Sequence, residues 1–173
     1  MEPIPEVVWC ELLLDGRFEF FDDAQRPVAT AWPDEDLWPN EFAVTGRGDR
    51  PWFRLVRNAG WGHTYELVLP EDDLLATLTD ESGRLTLTLG DGDELDVRVR
   101  NLGDENEFFD DETLLAHVSR RRAPGRKHLD PLARRVSFWD RTPTTRRRAI
   151  LGAVVALVLL RSEQVKFIIR NTP

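Results

Sequence analysis

The sequence predicts a mainly β protein, a barrel or strongly curved antiparallel sheet, wrapped around one hydrophobic helix near the C-terminus. Residues 1–115 are a series of short apolar runs broken by Gly, Pro and Asp. Their spacing of roughly ten residues is typical of sandwiches and barrels. Residues 149–160 contain no polar side chain at all. A helix that is apolar on every side must be surrounded by protein, and a curved sheet provides that surrounding.

The clearest strands form a hairpin over residues 84–100. Leucines at 85, 87 and 89 alternate with polar residues, the turn 90–93 follows, and Leu95, Val97 and Val99 alternate in the same way. This period of two predicts a pair of half-buried strands. Asp15-Gly16 and Ser82-Gly83 are typical turn sequences. The other candidate strands are 7–13, 17–21, 27–32, 42–45, 52–56, 64–69 and 74–78, and apolar runs continue at 108–109, 113–118 and 136–139.

The apolar segment 149–160 predicts a helix spanning about residues 143–161. Thr142 can cap this helix, and Pro143 suits its first turn because proline has no N–H to leave unpaired there. Twelve helical residues cover about 18 Å, whereas a bilayer's hydrocarbon core is about 30 Å thick. A helix lying on a membrane surface would need a polar face, which this segment lacks. We therefore expect a buried helix, followed by a final strand at 165–170.

Composition indicates one globular domain covering residues 1–173. The chain is 41% apolar and 31% charged, and six Trp and nine Phe give it ample material for a core. Its lone cysteine, Cys10, permits no internal disulfide and no cysteine-rich zinc site. The first residues lack the basic start and apolar stretch of a signal peptide. We expect a cytoplasmic protein, with peripheral membrane association as an option.

Charge is divided unevenly along the chain, whose net charge is −8. Residues 116–173 contain 14 Lys and Arg against 3 Asp and Glu, and residues 1–115 contain 9 against 28. The basic part can form a surface for phosphate or membrane, or it can be neutralised internally by the acidic turns. Both interpretations stay open at this level, and an overall negative charge disfavours nucleic acid as a partner.

Three consecutive arginines lie in the first turns of the predicted helix, where the helix dipole disfavours cations. A bound phosphate or carboxylate would offset this cost, with helix N–H groups and guanidinium groups acting together. The acidic turns could offset it equally well. The candidate anion-binding residues are Arg120, Arg121, Arg122, Lys127, Arg146, Arg147 and Arg148.

No residue pattern indicates catalysis. His63, His117 and His128 are scattered without metal-ligand spacing, and His63 lies in what is expected to be a hairpin corner. Acidic pairs fall in predicted turns, and residues 90–94 lack the ligand spacing of an EF-hand loop. The sequence therefore predicts a protein that is not an enzyme and that needs no cofactor and no metal.

The order of elements resembles the tubby C-terminal-like superfamily, which includes the LURP-one-related proteins and the phospholipid scramblases. The resemblance rests on the hydrophobic segment 148–160 and on residues 112–120, which look like the strand before the barrel's last hairpin. It implies a barrel of twelve strands around a central helix, and several members of the superfamily bind phosphoinositides or act at membranes. Lipid scrambling is not expected, because the scramblases' Pro-rich N-terminal region, cysteine cluster and calcium loop have no counterpart here.

Together these observations predict a non-enzymatic binding module that recognises an anionic lipid headgroup, such as a phosphoinositide, or another phosphate-bearing ligand through a basic C-terminal face. The alternative is a structural or protein-interaction domain without a small-molecule ligand. In that case exposed tryptophans, with Trp32, Trp38 and Trp61 as candidates, would form the partner surface.

Overall fold

A computed structural model describes residues 3–34, 41–60, 62–101, 104–121, 123 and 133–171, and at 59–60, 62–63 and 162–171 it describes the backbone alone. This part of the chain contains twelve β-strands followed by one α-helix, α1, which is Thr144–Asn171. The strands, β1 to β12 in order, are Val7–Leu12, Phe18–Phe21, Pro27–Pro33, Glu41–Gly46, Pro51–Gly60, Gly62–Val68, Leu74–Glu81, Arg84–Leu89, Glu94–Arg100, Glu105–Asp110, Thr113–Arg120 and Arg134–Phe138. A single 3₁₀ turn, Arg47–Asp49, precedes β5.

The twelve strands form one closed antiparallel barrel. Each strand pairs with its neighbours in sequence, and β1 closes the barrel by pairing with β12, with Val8 opposite Val136 and Cys10 opposite Arg134. Closure matters because each of these twelve strands then has a hydrogen-bonded partner on both sides, so none of them exposes an edge. The predicted fold class, a barrel of about twelve strands around a hydrophobic helix, is confirmed.

Alternation along the strands puts one apolar face inside the barrel. In the predicted hairpin β8–β9, Leu87 lies opposite Leu95, and both side chains are completely buried. The turn between β7 and β8 also follows the prediction. Ser82 and Gly83 both have positive φ, the backbone conformation that tight two-residue hairpins require.

Helix α1 occupies the interior of the barrel. Its hydrophobic residues from Ala149 to Ala156 are at most 1% exposed, and they belong to the same core as the inner faces of the strands. Gly152 marks the closest approach, since a Cβ atom at this position would overlap the side chains of Leu67 and Phe53. The burial of this apolar segment confirms the prediction. In the described part of the chain no helix is both long and apolar enough to cross a membrane.

Two local predictions about the helix are wrong. The strand expected at 165–170 is a continuation of α1, because the barrel is already closed and residues 161–171 contain no Pro or Gly to end the helix. Thr142 is not the N-cap of α1, because the helix begins at Thr144 and Pro143 stands between them. The Thr142 hydroxyl donates to the carbonyl of Leu115 at 2.9 Å. That bond instead ties the segment between β12 and α1 to strand β11.

Candidate functional site

The path of α1 through the barrel defines two ends. The proximal end of the barrel is the end at which α1 begins. The distal end is the opposite one, towards which the C-terminal half of α1 runs. Turns after even-numbered strands lie at the proximal end and turns after odd-numbered strands at the distal end, since the strands alternate in direction. The proximal turns are strongly acidic and contain Asp22, Asp23, Asp49, Glu71, Asp72, Asp73, Asp91, Asp93, Asp111 and Glu112.

Arg146 lies at the acidic proximal end. Its guanidinium contacts the carboxylate of Asp93 at 2.7 Å and bonds to that of Asp110. The hydrogen bond to Asp110 raises the pKa of Arg146 despite its partial desolvation, and the charges of both aspartates act in the same direction. The acidic turns therefore supply the counter-charge of Arg146, as expected if the basic part of the chain is neutralised internally.

The two arginines that follow pack against the protein itself. Arg147 is buried and donates to the backbone carbonyls of Ile4 (2.6 Å), Thr142 (2.9 Å), Trp139 (3.3 Å) and Asp140 (3.2 Å), so it joins the start of the chain to the segment leading into α1. The guanidinium of Arg148 lies 4.8 Å from the centre of the Trp52 ring. Both geometries are those of structural arginines.

Arg120 and Arg121 lie at the distal end. Arg120 contacts Asp104 at 3.3 Å, and Arg161 of α1 contacts the same aspartate oxygen at 3.2 Å. The rise of an α-helix places Arg161 roughly 22 Å from Arg146 along the axis. A single small anion therefore cannot contact both Arg120 and Arg146. The structure divides the predicted cluster between two ends, and Arg122 and Lys127 lie outside the described residues.

A cavity of about 220 Å³ opens beside α1 at the distal end. One part of its wall is polar and is formed by Asp80, Asn106, Arg134 and Arg161. The remaining wall is glycine and aliphatic side chains, namely Gly83, Leu85, Val99 and Val118 from the barrel and Val154, Leu157, Val158 and Leu160 from the helix. A single bound water needs only about 10–15 Å³ by the same kind of measure, so this space can hold a larger ligand.

Arg134 is the most unusual residue of this wall. It is 5% exposed and lies on the inner face of β12, with Cys10 and Arg120 as its cross-strand neighbours. Burial lowers the pKa of Arg134, and the positive charges of Arg161 and Arg120 lower it further, which Asp104 offsets in part. The distal end thus concentrates positive charge in a partly desolvated place, where an anion would be stabilised.

The other polar groups of the distal end fit this description. Asn106 is 6% exposed on the inner face of β10 and can offer an amide N–H to the cavity. Asp80 accepts the N–H of Gly83 at 3.0 Å and so fixes the turn at the rim. Hydrogen bonds from Arg161 and then from Arg120 lower the pKa of Asp104. Asp104 therefore stays ionised and holds the two arginines at the distal end.

Sequence reasoning missed Arg134, Asn106 and the role of Arg161. A signal for Arg134 exists in the pattern of residues 134–138, where Arg134 shares the alternating face of Val136 and Phe138. An arginine on the apolar face of a strand indicates a buried charge with a specific role. No comparable pattern identifies Asn106, because only the barrel closure brings β10 and β12 around the same helix.

The histidines and acidic pairs form no metal site among the described residues. The pairing of β5 with β6 extends to Gly60 opposite Gly62, which confirms the hairpin corner beside His63. His117 lies between Glu107 and Ser137 on neighbouring strands, and His128 falls outside the described residues. Asp22 accepts the N–H groups of Ala24 and Arg26, each at 2.9 Å, which is the turn role predicted for such acidic pairs.

The chain therefore has the architecture of a closed twelve-stranded antiparallel barrel with a central helix and a cavity at one end. The X-ray structure of a protein from Arabidopsis thaliana, AT5G01750, is similar to it, with a TM-score of 0.64 and 15% sequence identity over 90% of this chain and 91% of that chain. At this identity the likeness concerns the fold alone. No protein-family model matches the sequence, and no curated protein matches it either.

Proposed function

We propose that this chain is a tubby C-terminal-like barrel that serves as a non-catalytic binding module, and that it holds the negative group of a ligand at its distal end. The observation that carries the proposal is Arg134, a buried arginine that lines a cavity together with Arg161 and Asn106. Guanidinium groups present planar pairs of N–H donors that match carboxylate and phosphate oxygens. An anion bound there would offset both the burial of Arg134 and its repulsion by neighbouring arginines.

The proposal keeps the basic C-terminal face predicted from the sequence but moves the site along α1. The helix start is a poor candidate, since Arg146 is paired with two aspartates and Arg147 donates to four backbone carbonyls. The shared chemistry of the ligand is an anionic group, whose source is a lipid headgroup or a free soluble anion. Among the described lining residues there is no Ser, Cys, His, Lys or Tyr, and the one carboxylate, Asp80, accepts the N–H of Gly83 at 3.0 Å, which supports a binding role over a catalytic one.

Titration calorimetry with inorganic phosphate, inositol phosphates and a carboxylate, octanoate, tests the proposal, alongside flotation of phosphatidylcholine vesicles with and without an anionic phospholipid. Arg134→Met should abolish binding, because it removes the buried charge and keeps most of the side-chain volume. The matched control is Arg121→Met, which removes an equal charge from an exposed position at the same end. Loss in Arg134→Met with retention in Arg121→Met supports the proposal.

Three outcomes would contradict it: no binding of any anionic probe by the wild type, equal binding by the two variants, or equal loss in both. Arg161→Met provides a second test should Arg134→Met fold poorly, since the Arg161 side chain is 35% exposed and its removal leaves the core intact. Binding to soluble anions identifies a free ligand, and binding confined to anionic vesicles identifies a lipid headgroup.

Exposed apolar groups at the distal end favour a second candidate, a protein-interaction surface. Leu14 is 95% exposed and Trp32 is 48% exposed, with the guanidinium of Arg17 lying 4.5 Å from the centre of the Trp32 ring. Exposed Trp and Arg side chains are enriched at interfaces. Trp38 and Trp61 lie outside the described residues. Size-exclusion chromatography with light scattering checks this surface for self-association, and an oligomer that Leu14→Ser dissociates would support it. A monomer at all concentrations would contradict it.

A further inference from the structure

The cavity at the distal end is mostly hydrocarbon. Seven of its twelve lining residues are aliphatic, and four of those seven come from α1. A small, fully hydrated anion would leave this apolar wall unfilled and would gain nothing from it. A ligand that fills the space must therefore bring hydrocarbon of its own, because burial of apolar surface on both sides is what makes such pockets bind.

The polar and apolar parts of the wall are separated along the barrel axis. Val154 and Arg161 both line the cavity, and the helical rise places them roughly 10 Å apart. Val154 is 1% exposed inside the core, whereas Arg161 lies where the helix leaves the barrel. On the strands, the pair Arg120 and Arg134 lies two residues nearer the distal end than the pair Val118 and Val136. A ligand would therefore place its charged group near the opening and its apolar part along α1.

The charged residues around the opening are balanced by a ligand that has one negative charge. The charged residues that line the cavity, Arg134, Arg161 and Asp80, sum to one positive charge, and Arg120 and Asp104, which contact each other at 3.3 Å, cancel. A monoanion brings this group to neutrality, whereas a doubly charged phosphate monoester adds a negative charge that must be accommodated in a poorly solvated place. A carboxylate also has the two coplanar oxygens that a guanidinium pairs with, and the amide of Asn106 can donate beside them.

We infer that the ligand of this cavity is an aliphatic monocarboxylate, a short or medium-chain fatty acid or a molecule with such an end. Its carboxylate lies at Arg134 and Arg161, and its chain extends into the barrel beside Val154 and Leu157. This inference rests on the proposed anion-binding function and specifies its ligand class.

Titration calorimetry with a matched set of probes tests the inference on the wild-type protein: octanoate, octyl phosphate, octylamine, octanol, acetate and inorganic phosphate. Octanoate should bind at least tenfold more tightly than octylamine, octanol or octyl phosphate. It should bind more than about a hundredfold more tightly than acetate, because each methylene buried adds several-fold in affinity. Arg134→Met should reduce octanoate binding at least tenfold and leave octanol binding unchanged.

A variant in the apolar wall tests the contribution of the ligand's hydrocarbon chain separately from that of its carboxylate. Val158→Phe narrows the cavity beside α1 while it leaves Arg134, Arg161 and Asn106 in place. It should weaken octanoate binding at least tenfold without changing the weak binding of acetate. Far-ultraviolet circular dichroism of Arg134→Met and Val158→Phe checks that both retain the fold, and Arg161→Met is the substitute if Arg134→Met does not.

The failures are distinguishable. If inorganic phosphate or inositol phosphate binds and depends on Arg134, while octanoate binds no better than acetate, the inference about ligand class is overturned and the proposed function stands. If octanoate binds equally to the wild type and to Arg134→Met, or if octanol binds as tightly as octanoate, the carboxylate has no role and the inference is again overturned. If no anion binds, both the inference and the proposed function fail.

Discussion

Val155 is completely buried on α1, so replacing it with aspartate tests whether this helix is the centre of the core. Loss of the buried valine costs about 1.5–3 kcal/mol. Holding a carboxyl group neutral at pH 7, when its unfolded pKa is about 3.9, costs about 4 kcal/mol. A neutral but unpaired carboxyl group adds about 1–3 kcal/mol. The total, about 7–10 kcal/mol, is comparable with the whole stability of a typical domain, about 5–15 kcal/mol.

We therefore expect Val155→Asp to be largely unfolded at pH 7 when measured by circular dichroism and urea denaturation. The buried acid's pKa is raised in the fold, so the folded state binds more protons than the unfolded one and the cost grows with pH above about 4. Its destabilisation should thus decrease by about 1.4 kcal/mol for each unit of pH lowered from 7 towards 4. The matched control is Thr145→Asp, an exposed position in the first turn of the same helix, where the added carboxylate stays in water. Equal unfolding free energies for the two variants would refute the buried position of α1.

Gly152→Ala should destabilise the protein by about 1–3 kcal/mol in urea denaturation, because the new methyl group overlaps core side chains. At an exposed helical position the same change would stabilise by about 1 kcal/mol. Arg147→Met should cost about 2–4 kcal/mol, since four backbone carbonyls lose a charged donor. Asp104→Asn should cost no more than about 1 kcal/mol at pH 7, because the pairs with Arg161 and Arg120 are partly exposed. The pKa of Asp104 is lowered in the fold, so this cost is complete above pH 4 and disappears as pH falls through the native pKa.

Each of these variants has a control. Leu67→Ala should cost less in the Gly152→Ala background than in the wild type, since it makes room for the methyl group, and additive costs would contradict the overlap. Arg141→Met, an exposed arginine in the same segment, should change stability little. If it costs as much as Arg147→Met, the carbonyl contacts are not the cause. For Asp104→Asn, a difference from wild type that does not shrink as the pH is lowered below 4 would contradict the ion-pair explanation.

The sequence predicts most strand positions because each strand carries its own signal. Alternation in residues 84–89 and 95–100 places Leu87 and Leu95 on one face before any pairing is known, and the turn at Ser82-Gly83 is set by local backbone preference. The final strand at 165–170 fails because a short apolar run has no periodicity that separates strand from helix. Residues 165–170 could form a strand only if the barrel had an unpaired edge, and β1 pairs with β12 to close the barrel.

The candidate site shows the opposite case. The sequence places Arg120, Arg121 and Arg146 to Arg148 in one basic segment, yet α1 carries Arg146 to the acidic turns at one end and Arg161 to the other. Proximity in sequence says nothing about which end of a barrel a residue reaches, because each strand reverses the direction of the chain. Only the assembled barrel brings Arg134 of β12, Asn106 of β10 and Arg161 of α1 to the same cavity.

What the sequence alone determined is the composition of the parts: alternating strands, tight turns and an apolar helix that had to be buried. These follow from interactions between residues close along the chain and from the transfer of apolar surface out of water. The tertiary structure decided which charges meet. Electrostatic interactions depend on distance and burial in three dimensions, so the pairing of Arg146 with Asp93 and Asp110, and the exposure of Arg134 to a cavity, exist only once the barrel has closed around its helix.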